Sequence, residues 1–231
     1  MRIAHFFQGR DKFIPLIDVL FRLIKYLSIQ PAGGLVRHMT SRFDAAVGLI
    51  DEANAQDPNR VETADGARPA ELVYAMRMSA ALARVYPQAG EELRLAVRAQ
   101  HLQRWMMPRT RFSPDRKGYL AWRNAAKAEH AERAGDILSR AGYGANQIAC
   151  VQALIRKQGI KRDADAQALE DVACLVFLEH YFSAFAAKHD DEKLIGILRK
   201  TWVKMSETGR QAAMKLPMDA RSQALVAQAL A

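Results

Sequence analysis

Three ionisable side chains fall in phase with the apolar stripes of three predicted helices, and this pattern constrains the 231-residue chain more than any other feature. In the predicted helix 90–105, Leu93, Val97 and His101 recur at i, i+4 and i+8. In 127–141, His130 shares a face with Ala134, Ile137 and Ala141, and in 166–188 Asp171 shares one with Cys174, Leu175, Leu178 and Phe182. Residues so spaced lie above one another on a helix. A His or a carboxylate carried into a core is costly unless it meets a partner, so the three helices are expected to share a polar site. The setting of Asp171, LEDVACLVFLEHYF, turns it away from bulk water, whereas Glu170 beside it points elsewhere, towards a basic segment.

Fold class follows from the same periodicity. No segment shows period-2 alternation, β-branched residues are sparse and alanine is abundant, so the chain reads as all-α, a single multi-helix bundle. Helices are expected at 42–55, 70–86, 90–105, 115–125, 127–141, 146–158, 166–188, 190–205 and 207–215, with loops at 60–69 and 106–114. Three regions emerge: an N-terminal extension 1–38, a helical domain 39–217 and an Ala-rich helical tail 218–231. The apolar run 13–29 carries Asp18, Arg22 and Lys25 on one stripe and is short for a membrane span. It suits a surface or partner-binding helix. Alternatively the native protein starts at Met39, behind the linker PAGGL and ahead of a clean helix start at Thr40–Ser41.

The formal net charge is +9 and the mean composition is that of an ordinary globular protein. A basic balance suits phosphate-bearing ligands but only weakly implies nucleic acid. The charge concentrates in HLQRWMMPRTRFSPDRKGYLAWR, residues 101–123, and just beyond it. There Arg104, Arg109, Arg111, Arg116, Lys117, Arg123 and Lys127 face the single acid Asp115, with Trp105, Tyr119 and Trp122 interleaved. Guanidinium forks pair with phosphate oxygens in bidentate fashion, and aromatic rings stack bases. Arg104, Arg109 and Arg123, with Tyr119 and Trp122, are therefore the expected anion-binding set. Lys157 and Lys161 are accounted for by the end of a helix, where cations are favoured.

Cys150 and Cys174 are far apart in sequence and each sits among apolar residues, which excludes a disulfide framework and a zinc signature. Both are expected to be buried, reduced thiols of a cytoplasmic protein. No P-loop, GxSxG elbow or GxGxxG fingerprint is present. KMSETG (204–209) lacks the companion motif and the βαβ pattern that a synthetase reading needs.

The stretches DPNRVE (57–62), ELVYAMRM (71–78), RAQHLQRWMMPR (98–109), GYLAWR (118–123), LIRKQGIKRD (154–163), LEDVACLVFLEHYF (169–182), KHDDEKL (188–194) and KTWVKMS (200–206) resemble the family called domain of unknown function 4202. That resemblance spans about Phe43 to Leu216 and implies a fold type without an activity. A more distant similarity is to HD-domain phosphohydrolases, helical enzymes that hold a metal with His and Asp. It rests on LAVRAQHLQRW, EHAERAGDILSRAG and ALEDVACLVF. It implies a degenerate HD-like fold in which His101, His130 and Asp171 map to ligand positions of a divalent metal (Zn, Fe, Mn or Co); His101 and Asp171 are the expected ligands, His130 a further ligand or a general acid, and Glu170 an alternative metal holder or catalytic partner. The sequence departs from the HD pattern in having Leu102 after His101 and no counterpart of the first family His in ELVYAMRMSAAL. The expected function is hydrolysis of a nucleotide or other phosphate ester. The alternative is a non-catalytic module for an anionic ligand or RNA.

Overall fold

Short polar residues mark where the helices begin. The side chains of Ser41, Asp115, Asp163, Asp190, Ser206 and Asp219 each accept a hydrogen bond from the backbone N–H three residues on, satisfying a donor that the first turn leaves free. The computed structural model describes residues 41–231. The apolar run 13–29, the linker 31–35 and the Met39 start lie outside the described residues. The helices are α1 (Arg42–Ala55), α2 (Ala70–Val85), α3 (Glu91–Ala99), α4 (Arg116–Arg140), α5 (Ala145–Ile155), α6 (Ala164–His180), α7 (Phe182–Ala186), α8 (Asp191–Lys204), α9 (Glu207–Ala213) and α10 (Ala220–Leu230). Among the described residues no helix is long and apolar enough to cross a membrane.

The fold is all-α apart from one departure in the expected loop 60–69. Strands β1 (Arg60–Thr63) and β2 (Gly66–Pro69) pair antiparallel, with Thr63 opposite Gly66. Gly66 takes φ +95°, a conformation open to glycine at little cost. The Thr63 hydroxyl closes the turn by donating to the Gly66 carbonyl at 2.7 Å.

Helix α6 organises the core. Its residues Ala166, Ala168, Leu169, Glu170, Asp171, Val172, Cys174, Leu175, Val176 and Leu178 are all buried. A helix apolar all round is one packed on every side. Leu169, Val172 and Val176 join a cluster that includes Ile50, Met78, Leu93, Val97 and Leu138. Leu175 and Leu178 join a second cluster with Phe182, Leu194, Leu198, Leu225 and Val226. The Ala-rich C-terminal helix α10 thus packs into that second cluster through Leu225, Val226 and Ala229. Between α1 and α3, Arg98 forks onto Asp51 at 2.7 and 2.6 Å.

Four expectations are corrected. The helix expected at 166–188 is two, α6 and α7, because Tyr181 at φ −126° leaves the helical conformation between them. Helix α3 stops at Ala99, well before 105, because Gln103 adopts φ 52°; His101 therefore sits in the turn beyond the helix. The expected helices 115–125 and 127–141 are one continuous helix, α4, since nothing between them breaks the ladder. Cys150 is exposed; only Cys174 is buried.

The buried Asp171 carboxylate is fully engaged. It accepts from the Tyr86 hydroxyl at 2.5 Å, the Ser206 hydroxyl at 2.5 Å, the Ser206 N–H at 2.8 Å and the Gln167 amide at 3.0 Å. This joins α2, α6 and the start of α9. Gly209 lies against the same carboxylate, and a Cβ there would come within 2.6 Å of its Cγ. Gly209→Ala should therefore lower stability by about 1–3 kcal/mol, the usual cost of overpacking, read as a fall in the urea midpoint. An unchanged midpoint would contradict this account of the cluster.

Candidate anion-binding site

The continuity of α4 builds one wall of the site. Tyr119, Trp122, Arg123, Ala126, Lys127 and His130 recur at three- and four-residue steps and all line one pocket of about 330 Å³. The chain from 103 to 115 runs outward in an irregular path with two 3₁₀ turns, Arg104–Met106 and Arg109–Arg111. Helix α4 then returns past it, rising about 20 Å from its start to His130 at 1.5 Å per residue. His130 thereby reaches the turn after α3: its Nδ1 lies 2.9 Å from the Leu102 carbonyl and its ring centroid 5.9 Å from that of His101.

The turn is fastened from both sides. Gln103 donates its N–H to Asn54 Oδ1 at 2.9 Å, and its carbonyl accepts from Arg133 at 3.1 Å. These bonds hold Gln103 in the left-handed region, which costs a non-glycine residue on the order of 1–3 kcal/mol and tends to mark functional segments. His101 stacks on Tyr74 with centroids 4.1 Å apart and planes 10° from parallel. Arg104 donates to His101 Nε2 at 2.7 Å and lies over the Trp122 ring at 4.9 Å. Arg123 lies over Tyr119 at 5.8 Å. The interleaved aromatic rings thus carry guanidinium groups.

The opposite wall comes from three other segments. Lys157 follows α5 at φ 59°, the left-handed position that usually ends a helix as glycine. Its ammonium meets Glu170 of α6 at 2.5 Å. Lys204 projects from the end of α8, and Tyr74, Gln100, Cys174 and Phe177 complete the lining. Five cations, Arg104, Arg123, Lys127, Lys157 and Lys204, therefore share the pocket with one carboxylate, and that carboxylate is already paired. Among the described residues, Arg104, Arg123, Lys127 and Lys204 have no acidic partner within 4.0 Å. A larger hollow of about 500 Å³ beside Phe43, Val47 and Tyr86 offers no such excess. Its Arg94 covers the Phe43 ring and its Arg98 is committed to Asp51.

Crowded positive charge shapes the protonation states. Burial lowers Lys127, and Arg123 and Lys157 lower it further. Burial and then Arg104 hold His101 well below the usual imidazole range. Burial takes His130 down to about 4, against the opposing effect of the Leu102 carbonyl. Both rings are thus neutral at pH 7. Arg104 can only donate, so His101 Nε2 bears the lone pair and Nδ1 the proton, turned towards Glu71 Oε2 at 3.5 Å. The Leu102 carbonyl likewise assigns the His130 proton to Nδ1 and leaves Nε2 as an acceptor. Burial raises Glu170, but Lys157 outweighs it and the carboxyl stays below its ordinary range. Burial lifts Glu71 to about 7 and Cys174 to about 12, so the Cys174 thiol is a poor nucleophile at neutral pH.

Of the residues expected at the site, His101, His130, Glu170, Arg104, Arg123, Tyr119 and Trp122 line the pocket together. Asp171 and Arg109 do not. Asp171 faces Tyr86 and Ser206, and Arg109 staples its own loop by donating to the carbonyls of Phe112 and Ser113 at 2.9 and 2.6 Å. Among the described residues no three His, Cys, Asp or Glu side chains gather as metal ligands. The donor set does not fit a divalent cation: Asp171 is spent on four donors, Glu170 on Lys157, and five cations surround the two imidazoles. The sequence reading missed Lys204, Gln100, Tyr74 and Glu71. It also assigned Lys157 to a helix end alone, and no local signal marked it otherwise.

Linkage fixes two opposite pH effects. Unfolded His130 takes up a proton near its ordinary value of 6.5 and the folded residue only near 4, so its share of stability is present above 6.5 and lost as pH falls towards 4. Glu71 changes from 4.5 to about 7 on folding, so its share is present below 4.5 and lost as pH rises through 7. In urea titrations, His130→Asn should flatten the loss on acidification, and Glu71→Gln should stabilise the chain at about pH 8 but not at about pH 4. Parallel pH profiles for both variants and the parent would contradict these assignments.

No curated protein and no solved structure matches this chain. A family model does match, over residues 44–226, and through it the chain belongs to the family described as domain of unknown function DUF4202.

Proposed function

We propose that this protein binds a phosphate-bearing small molecule in the pocket between α4, α6 and the turn after α3. One observation carries the reading. Five cationic side chains from four separate segments line a pocket of about 330 Å³ whose only carboxylate is neutralised by one of them. Concentrating like charge in a partly buried space is unfavourable, and a bound phosphate would relieve it through charge-assisted hydrogen bonds. The concave, small volume suits a small molecule better than a nucleic-acid strand. The aromatic rings favour no base, because Trp122 and Tyr119 already carry Arg104 and Arg123.

Turnover of that ligand is a second reading, favoured by His130. Its Nε2 is buried, neutral and without a protein partner. An imidazole so held can accept a proton from a water attacking a phosphate ester. The metal-assisted form of the reaction is not part of this reading, since the ligands it would need do not converge.

Calorimetric titration with inorganic phosphate tests the binding. One-to-one binding is expected, weakened about tenfold or more in Arg123→Ala and Lys204→Ala, as the loss of a charge-assisted bond implies. Arg116→Ala, at the exposed start of α4, should leave it unchanged. Absence of binding, or equal weakening in all three variants, would overturn the proposal. So would tighter binding of an RNA oligonucleotide that ignores Arg123 and Lys204.

A further inference from the structure

Alongside its cations, the pocket is lined by two residues that each carry a buried acceptor reached by no donor among the described residues. The acceptors are His130 Nε2 and Gln100 Oε1, on residues only 2% and 5% exposed. The His130 tautomer is settled by the Leu102 carbonyl, so Nε2 cannot serve as a donor. A buried acceptor left unmet costs on the order of 1–3 kcal/mol, and a native structure that keeps two of them in one pocket lining has a use for them. The unprotonated oxygens of a phosphate monoester cannot satisfy them, because they are themselves acceptors. The matching groups are O–H donors attached to the molecule that carries the phosphate.

We infer that the ligand is a phosphorylated polyol, such as a sugar phosphate. Its phosphate lies among Arg104, Arg123, Lys127, Lys157 and Lys204, and its hydroxyls donate to His130 Nε2 and Gln100 Oε1. This rests on the phosphate-binding reading above and adds what the rest of the molecule must present. The lining supports the division. His101, His130, Gln100 and Tyr74 supply uncharged polar and aromatic surface, the kind of contact that recognises a hydroxylated carbon chain, while the lysines and arginines supply the charge.

The test compares three classes of probe by calorimetry on the full chain: inorganic phosphate, n-pentyl phosphate, and a set comprising ribose 5-phosphate, glucose 6-phosphate and glycerol 3-phosphate. The best polyol phosphate should bind about tenfold or more tightly than pentyl phosphate, the increment expected of one or two hydrogen bonds to buried acceptors. In Gln100→Leu and in His130→Phe that advantage should shrink to about threefold or less. Melting curves report whether each variant is folded, and the comparison on the parent chain decides the matter even if one is not. Equal affinity for pentyl phosphate and every polyol phosphate would overturn the inference and leave phosphate binding standing. Failure of all the probes to bind would overturn both.

Discussion

The two carboxylates in the buried middle of helix α6, Glu170 and Asp171, have to be satisfied by other elements, because packing around them leaves no water. Successive residues of a helix are about 100° apart around its axis, so Glu170 and Asp171 look into different parts of the molecule. Glu170 meets Lys157 across the pocket, and Asp171 gathers Tyr86, Ser206 and Gln167. The two arrangements are connected. Gln167 donates both to Asp171 and, at 2.9 Å, to the Lys204 carbonyl. The cluster that ties α2, α6 and α9 together therefore also fixes the end of α8 from which Lys204 enters the pocket.

The pocket tolerates its positive charge because four of its five cations rest on an aromatic ring or stand at a helix end. Arg104 rests on Trp122 and His101, and Arg123 on Tyr119. Lys157 and Lys204 stand at the ends of α5 and α8, where the helix dipole is negative. Lys157 alone has a carboxylate. The result is a positive surface with its side chains already placed, so that on the proposed reading little rearrangement opposes anion binding. The neutral histidines follow first from burial and then from the same field, since protonating either would add a further cation to the group.

Much of this was legible in the sequence, in proportion to how local each signal is. The helical periods placed α1, α2, α5 and α8 closely, and the basic, aromatic run after His101 pointed to the region that holds the pocket. That His130 turns inward was readable from its apolar stripe; that it lies beside His101, in the turn beyond α3, was not. Nor was the partner of Asp171. A buried carboxylate is satisfied equally well by hydroxyls and amides as by a metal, and Tyr86 and Ser206 are distant in the chain and ordinary in composition. Arg109 misled for a similar reason: an arginine in a loop can serve its own carbonyls, and only the path of the loop decides. Gln103 and Lys157 bend the chain without the glycine that usually announces such a bend. The end of α3 and the functional part of Lys157 were therefore hidden, since tertiary bonds and not local preference hold both residues in place.

The central claim is that His101 and His130 sit in one anion-binding pocket and stay neutral there. Histidine side-chain ¹⁵N NMR of the full chain at about pH 7, recorded with and without inorganic phosphate, addresses it most directly. The account predicts neutral Nδ1–H tautomers for His101 and His130, and resonances of these two that move on adding phosphate while those of His180 and His189 stay in place. A protonated His130 in the free protein, or phosphate-induced changes shared by His101, His130, His180 and His189 alike or seen in none of them, would contradict it.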